Sequence, residues 1–390
     1  MADREAIVCF GGYDYWYSNP GSPVQLMEAA HRTGHKVLWV NSIGMNMPRM
    51  RKSGFWRRVG LKLRSWSRWL KVANPDFHVL SPIILPLFGS PALERMNERW
   101  LAFQVKLAYR ILGLKRPVVM ACLPSFAKVA TTLPNAGLIY YLTDKFEAYR
   151  DLKARGSMLA RDLLLKEKSD LLLCSSRKIQ EDASAFGDKV HFFPHAVDSA
   201  DYDAALASNS PEPADLAIIA HPRVGYFGSL TNANNLDLIE YCAKEDPSLQ
   251  FVLIGRVMGD YSQVENLPNV HLLGMKPYEE IPYYGKGFDV GIMTWQLTEW
   301  IRYCSPIKTK EYLALGLPVV SIPIEEHDTE YPGLVETAET GPQVLAAIHR
   351  ALAGDDDEKR AARRERVKGE SWDRSFGEMI IMLKERQSGH

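Results

Sequence analysis

At 390 residues the chain exceeds what one ordinary core accommodates, so two domains are expected. Charged residues make up 24% and hydrophobic ones 46%, the balance of a soluble globular protein. With 47 basic and 47 acidic side chains the formal charge is zero, which excludes a whole-molecule field drawing the protein to nucleic acid.

Short apolar runs alternate with helical periodicity from end to end. Ala6–Phe10 predicts a strand followed by Gly11-Gly12, then a helix over Val24–Thr33 closed by Gly34, then a strand at Lys36–Val40. Val118–Cys122, Leu138–Leu142, Leu171–Cys174 and Val190–Phe193 continue as buried strands, the last ending in Pro194-His195-Ala196-Val197-Asp198. Ser199 to Ala214 has no apolar run and is the expected linker. The rhythm restarts with strands at Arg223–Phe227, Phe251–Ile254, Val270–Leu273, Val290–Met293 and Val319–Ile322. Pro342–Leu352 predicts a helix, Asp355 to Glu358 the acidic first turn of another, and Trp372, Phe376, Met379, Ile380 and Leu383 an apolar stripe on a last one. Strands separated by helices imply parallel sheets covered on both faces, hence two Rossmann-like halves.

The most informative stretch runs from Ser305 to Val320. A helix opens after Pro306, carries Lys308 in its first turn and Glu311 one turn on, and ends at Gly316-Leu317-Pro318. Helix starts gather unpaired N–H groups and positive dipole charge, so an anion such as a phosphate binds there. Lys308 adds a full charge, and a carboxylate at Glu311 is placed to accept hydrogen bonds from sugar hydroxyls. The pair suggests a grip for a nucleoside diphosphate.

No metal site is expected. Cys9, Cys122, Cys174, Cys242 and Cys304 lie far apart without a C-x-x-C pair, mostly in apolar runs, as buried thiols of a reducing compartment do. The pairs His31/His35 and His191/His195 have no accompanying carboxylate motif. Met1 to Glu5 is polar and the next apolar run short, so no leader is expected. No apolar stretch of about 20 residues is present to span a membrane.

These residues carry a resemblance. The two halves, Pro194-x-x-Val197-Asp198, Gly225-Tyr226-Phe227-Gly228-Ser229 and the Lys308/Glu311 helix with its Gly-x-Pro-Val-Val ending resemble the GT-B glycosyltransferases over essentially the whole chain. The similarity is strongest to bacterial exopolysaccharide and teichuronic-acid type enzymes, and extends to the xanthan glucuronosyltransferase. It implies an α/β fold of two Rossmann-like domains facing a cleft, with a C-terminal helix crossing back to the first. On this sequence the implied parts are an acceptor domain at 1–200, a nucleotide-sugar domain at 215–368 and the helix at 369–390. Gly228 and Ser229 then approach the diphosphate, Lys308 contacts phosphate and Glu311 holds the ribose. Met275, in the loop Gly274 to Pro277, flanks the base, and Tyr303, Ser305 and Ile307 belong to the same donor site. Arg256 either reaches phosphate or is a solvated loop arginine.

Retaining members of the large Glu-x7-Glu family carry a glutamate where this chain has Tyr303. The departure points to the inverting, glucuronosyltransferase-like branch, which needs a general base. Asp144, after the strand Leu138–Leu142, matches the catalytic aspartate there; its other reading is a helix cap. Gly12, Tyr13 and Asp14 are expected on the acceptor side. An Asp-x-Asp stands in the linker at Asp201-Tyr202-Asp203, so metal-independent transfer without a cofactor is expected.

Between Glu28 and Asp76 no acidic residue occurs, and Pro48 to Lys71 carries nine basic side chains. On a helix Trp56, Val59, Leu63, Trp66 and Leu70 share one face, with Arg57, Lys62, Arg64, Arg68 and Lys71 around the rest. Three readings stand: a membrane-surface helix, a helix packed on the core, and a nucleic-acid contact. Interfacial tryptophans among cations favour an anionic membrane, with Phe55, Trp56, Arg57, Arg58, Lys62, Arg64, Trp66, Arg68 and Trp69 as the contact and no nucleic acid partner. The expectation is a glycosyltransferase moving sugar from a UDP-sugar to a lipid-linked glycan, peripheral on the cytoplasmic face of the membrane, in polysaccharide or cell-surface glycan synthesis. Its rivals are a nucleotide-sugar epimerase of the same fold, for which the basic insert has no use, and a non-catalytic membrane scaffold, against which Lys308 and Glu311 argue.

Overall fold

The computed structural model describes residues 5–16, 21–42, 60, 69–84, 91–146 and 155–388. The chain divides into two compact units, one of residues 1–194 with 372–390 and one of residues 195–371.

In the first unit the described strands are β1 (Ile7–Phe10), β2 (Val37–Val40), β3 (Leu70–Asn74), β4 (Phe77–Leu80), β5 (Val118–Ala121), β6 (Gly137–Leu142), β7 (Leu171–Cys174) and β8 (Val190–Phe192). They form one sheet in the order β3-β4-β2-β1-β5-β6-β7-β8, parallel throughout except for the β3–β4 hairpin. β1, β2, β5, β6 and β7 are buried along their whole length, which is why they read as unbroken apolar runs. The helix Trp372–Ser388 completes this unit by burying Trp372, Phe376, Met379 and Leu383. Phe376 meets His35 edge-on at 5.0 Å, and Asp373 pairs with Arg32 at 2.7 Å.

The hairpin was not anticipated. Asp76 takes φ +62° at its turn, and β3 begins at Leu70. Leu70 and Lys71 therefore belong to a sheet edge rather than to the amphipathic helix expected there, because Leu70 pairs with Leu80 and Lys71 with Val79.

In the second unit β9 (Arg223–Phe227), β10 (Gln250–Ile254), β11 (Val270–Gly274), β12 (Val290–Met293), β13 (Val319–Ser321) and β14 (Val335–Thr337) form a parallel sheet in the order β11-β10-β9-β12-β13-β14. Sequence order runs outward from β9 to β11, then restarts at β12 on the other side. Loops leaving β9 and β12 thus diverge, and such a switch point leaves a crevice at the carboxyl ends of the strands. The expected linker is a correction: Ser199–Ala207 and Ala214–Ala217 are helices. Tyr202, Leu216 and Ile219 are few but large, and they are buried in the same core as Phe227 and Tyr312.

Candidate functional site

The helix Ile307–Ala314 follows Pro306, whose extended backbone (φ −70°, ψ 119°) starts it, and Gly316 at φ +75° stops it. Its three central polar residues are committed to different neighbours. Lys310 is buried and paired with Glu370 at 2.6 Å. The Thr309 hydroxyl lies 3.0 Å from His327 Nε2. Lys308 is the lysine turned toward the strand-end loops.

Those loops are packed without room for side chains. Gly228, directly after β9, has φ +142°, and a Cβ there would lie 2.2 Å from Lys308 Cε. Gly255, after β10, has φ +152°, and its Cβ would lie 1.8 Å from the Gly228 carbonyl oxygen. Only glycine fits either place. Gly228 N–H donates to Ile254 O, Leu230 N–H to Arg256 O and Gly255 N–H to Gly274 O, at 2.8, 3.0 and 2.8 Å. The loops after β9, β10 and β11 therefore run side by side, with Lys308 lying on the first. Its ammonium is 5.7 Å from the Tyr226 ring and 5.5 Å from the Trp295 ring, within cation–π range. Trp295 Nε1 donates to Tyr226 Oη at 3.3 Å and fixes the two rings together.

Glu311 is 4% exposed and accepts a hydrogen bond from Tyr278 Oη at 3.2 Å. Burial raises its pKa; the Lys308 charge and the Tyr278 hydroxyl work in the opposite direction. Tyr202 faces the same carboxylate, although its buried hydroxyl does not reach hydrogen-bonding geometry.

The structure thus brings Gly228, Lys308 and Glu311 into one neighbourhood, with Ser229, Arg256 and Met275 on the three adjacent loops. Ser229 and Arg256 are exposed, and Met275 is 51% exposed. Tyr303 and Ser305 are buried before the helix and Ile307 is half-buried in its first turn. Sequence reasoning missed Gly255, Tyr226, Trp295, Tyr278 and Tyr202. Of these, only the glycine after an apolar strand left a readable signal, since aromatic residues in or beside strands usually denote core.

In the first unit, Gly12, Tyr13 and Asp14 follow β1, and Asp144 follows β6. The Tyr13 phenol is pushed up to about 12, by desolvation first and then by the Asp144 charge. Thr143 Oγ1 donates to Asp144 Oδ2 at 3.3 Å, and Ser175 Oγ donates to Thr143 O at 3.2 Å, holding that loop. Asp14 is engaged locally, accepting from Trp16 N–H at 3.1 Å. The segment that Asp144 is able to cap, from residue 147, lies outside the described residues. So do Phe55, Trp56, Arg57, Arg58, Lys62, Arg64, Trp66 and Arg68. Trp69 is described: its indole N–H donates to Gln104 Oε1 at 3.1 Å, inside the first unit. Among the described residues no three His, Cys, Asp or Glu side chains are grouped to hold a metal ion, and no helix is long and apolar enough to cross a membrane.

No family model matches the chain. The putative teichuronic acid biosynthesis glycosyltransferase TuaH of Bacillus subtilis is 25% identical over 281 residues, which cover 66% of this chain and 69% of that protein. Sucrose-phosphate synthase from Thermosynechococcus elongatus superposes with a TM-score of 0.69 at 15% identity, covering 99% of this chain and 100% of its own. An E. coli trehalose-6-phosphate protein bound with UDP-2-fluoro glucose gives 0.66 at 12% identity, covering 97% and 99%. Anabaena HepE in complex with UDP and glucose gives 0.62 at 14%, covering 99% of each chain. Two units built on largely parallel sheets and a glycine-lined switch point in the second agree with these neighbours: the chain has the two-domain α/β fold of the GT-B type and is similar to a putative glycosyltransferase.

Proposed function

We propose that the protein transfers a sugar from UDP-sugar to a lipid-linked glycan on the cytoplasmic face of the membrane, with inversion and without a metal. The observation that carries the donor half is the seating of Lys308 against Gly228, with Glu311 one turn further on the same helix. The ammonium and the amides of the crossing loops suit a diphosphate, and the Glu311 carboxylate suits ribose hydroxyls. UDP is the nucleotide chosen because HepE and the E. coli trehalose-6-phosphate protein of the same fold are described with UDP or a UDP-sugar. The teichuronic acid relative supports the reading of a glycan acceptor, and the acid-free basic segment 29–75 supports that of a membrane face.

In this reading the acceptor hydroxyl oxygen bonds to the anomeric carbon while the bond from that carbon to the β-phosphate oxygen breaks. The electron pair leaves with UDP, whose charge Lys308 and the loop amides stabilise, and the hydroxyl proton passes to Asp144. Tyr303, in place of a second glutamate, is the reason for assigning inversion.

The test supplies radiolabelled UDP-sugars and a lipid extract, and follows label into the organic phase. Asp144→Asn is expected to retain UDP binding and lose transfer by at least about 100-fold. Full transfer by that variant removes Asp144 as base. Lys308→Ala is expected to weaken UDP binding by about 10- to 100-fold; unchanged binding removes the clamp.

A further inference from the structure

The helix Pro91–Leu112 of the first unit carries an apolar stripe that is substantially exposed. Met96 and Trp100 are each 44% exposed, Phe103 54% and Ile111 56%, with Leu107 half-buried between them. At 100° per residue these five fall within an arc of about 80°. Trp100 and Phe103 stack at 5.4 Å with their planes 17° apart, so the two rings form one apolar plate. Isolated exposed hydrophobic residues need no explanation, but a contiguous stripe of this kind marks a contact surface.

The charges on this helix are sorted. Arg99, Lys106 and Arg110 are exposed along one flank of the stripe. Both acids near the stripe turn away from it: Glu94 and Glu98 pair with Arg161 at 3.0 and 2.7 Å, and Glu98 also with Lys128 at 3.1 Å. Gln104, 2% exposed, pins the opposite flank by bonding the backbone N–H and C=O of Ile83, each at 2.9 Å. Ile83 is itself 38% exposed and borders the stripe.

We infer that this face docks on an anionic lipid surface, with the helix lying in the plane of the headgroups. Aromatic rings beside cations, with carboxylates withdrawn inward, complement a layer that is apolar below and negative above. A second copy of the chain suits the face poorly, since a two-fold contact brings Arg99, Lys106 and Arg110 against their own equivalents. The surface is built from described residues and stands whether or not the segment 55–69 meets lipid.

Flotation of the full chain with phosphatidylcholine vesicles, alone or with about one third phosphatidylglycerol, tests it. The wild-type protein is expected to float with the anionic vesicles and not with the neutral ones. Trp100→Ser with Phe103→Ser is expected to lower partitioning at least about tenfold, and Arg99→Glu, Lys106→Glu and Arg110→Glu together on the order of 100-fold. Urea midpoints and UDP binding of each variant, expected to match wild type, separate this surface from folding and from the donor site. Undiminished flotation of both variants overturns the proposal, as does equal binding to neutral vesicles. Loss confined to a variant with Arg57, Arg58, Arg64 and Arg68 changed to Glu also overturns it. If the wild type self-associates in the ultracentrifuge, and Trp100→Ser with Phe103→Ser abolishes that without altering flotation, the face is an interface between copies instead.

Discussion

Glu311 is a carboxylate placed where a charge is costly to keep. Burial favours its protonated form, and Lys308 and the Tyr278 hydroxyl draw it back toward the ionised one. Its folded pKa lies above the unfolded value, so its contribution to stability falls as pH rises from the unfolded value through the folded one. With Glu311 on the ribose, as proposed above, nucleotide binding runs the other way, because the ionised carboxylate is the better hydrogen-bond acceptor. UDP affinity is therefore expected to drop on acidification at a pH above the ordinary carboxylate range. Tyr278→Phe removes a donor to the ionised form and is expected to move that drop to higher pH, whereas Glu311→Gln flattens it. Calorimetric titration across pH 4 to 8 (roughly the window in which a raised carboxylate titrates) reads all three; a Tyr278→Phe profile identical to wild type sinks the coupling. The helix that carries Lys308 and Glu311 was legible because a helix start after proline has a recognisable pattern. Tyr226, Trp295, Tyr278 and Tyr202 were not, since each arrives from a different element and its partner is set by the sheet order.

At the scale of elements, the strands were legible because a sheet covered on both faces turns burial into continuous apolar runs. Arg223–Phe227, Leu171–Cys174 and Val290–Met293 stand at the expected bounds. The stretch after Asp198 was misread because Tyr202 and Leu216 anchor short helices whose remaining residues are small or polar. The hairpin Leu70–Leu80 was hidden because Leu70 and Lys71 continue the apolar and basic helical pattern that precedes them. The crossing of the loops after β9 and β10 is the most constrained local feature. Gly255→Ala puts a methyl group on a backbone carbonyl in a backbone conformation that alanine avoids. It is expected to cost about 1–3 kcal/mol and to weaken UDP binding through displacement of Gly228. Urea unfolding and UDP titration of this variant check both; wild-type values in each show that the loops tolerate separation.

At the scale of the molecule, zero net charge conceals an uneven distribution, because the acids missing between Glu28 and Asp76 are supplied elsewhere. The second unit also carries two histidines held neutral by burial, His195 at about 3 and His327 at about 4, against a usual 6.5. Both pKa values are depressed in the folded state. The unfolded chain therefore takes up protons first as pH falls below 6.5, and stability is lost from there down toward 4. For His327 alone the loss is on the order of 3 kcal/mol. Urea midpoints measured between those limits are expected to fall steeply, and less so in His327→Gln; parallel curves for the two proteins exclude His327 as a source. The division of the chain has a further result, in time rather than in space. The first unit needs the helix Trp372–Ser388, the last described element to leave the ribosome, to cover its sheet. Residues 195–371 are complete before it, so during synthesis the second unit is free to finish folding while the first still waits for Trp372 and Phe376. The unit whose strands are made first is therefore the one completed last.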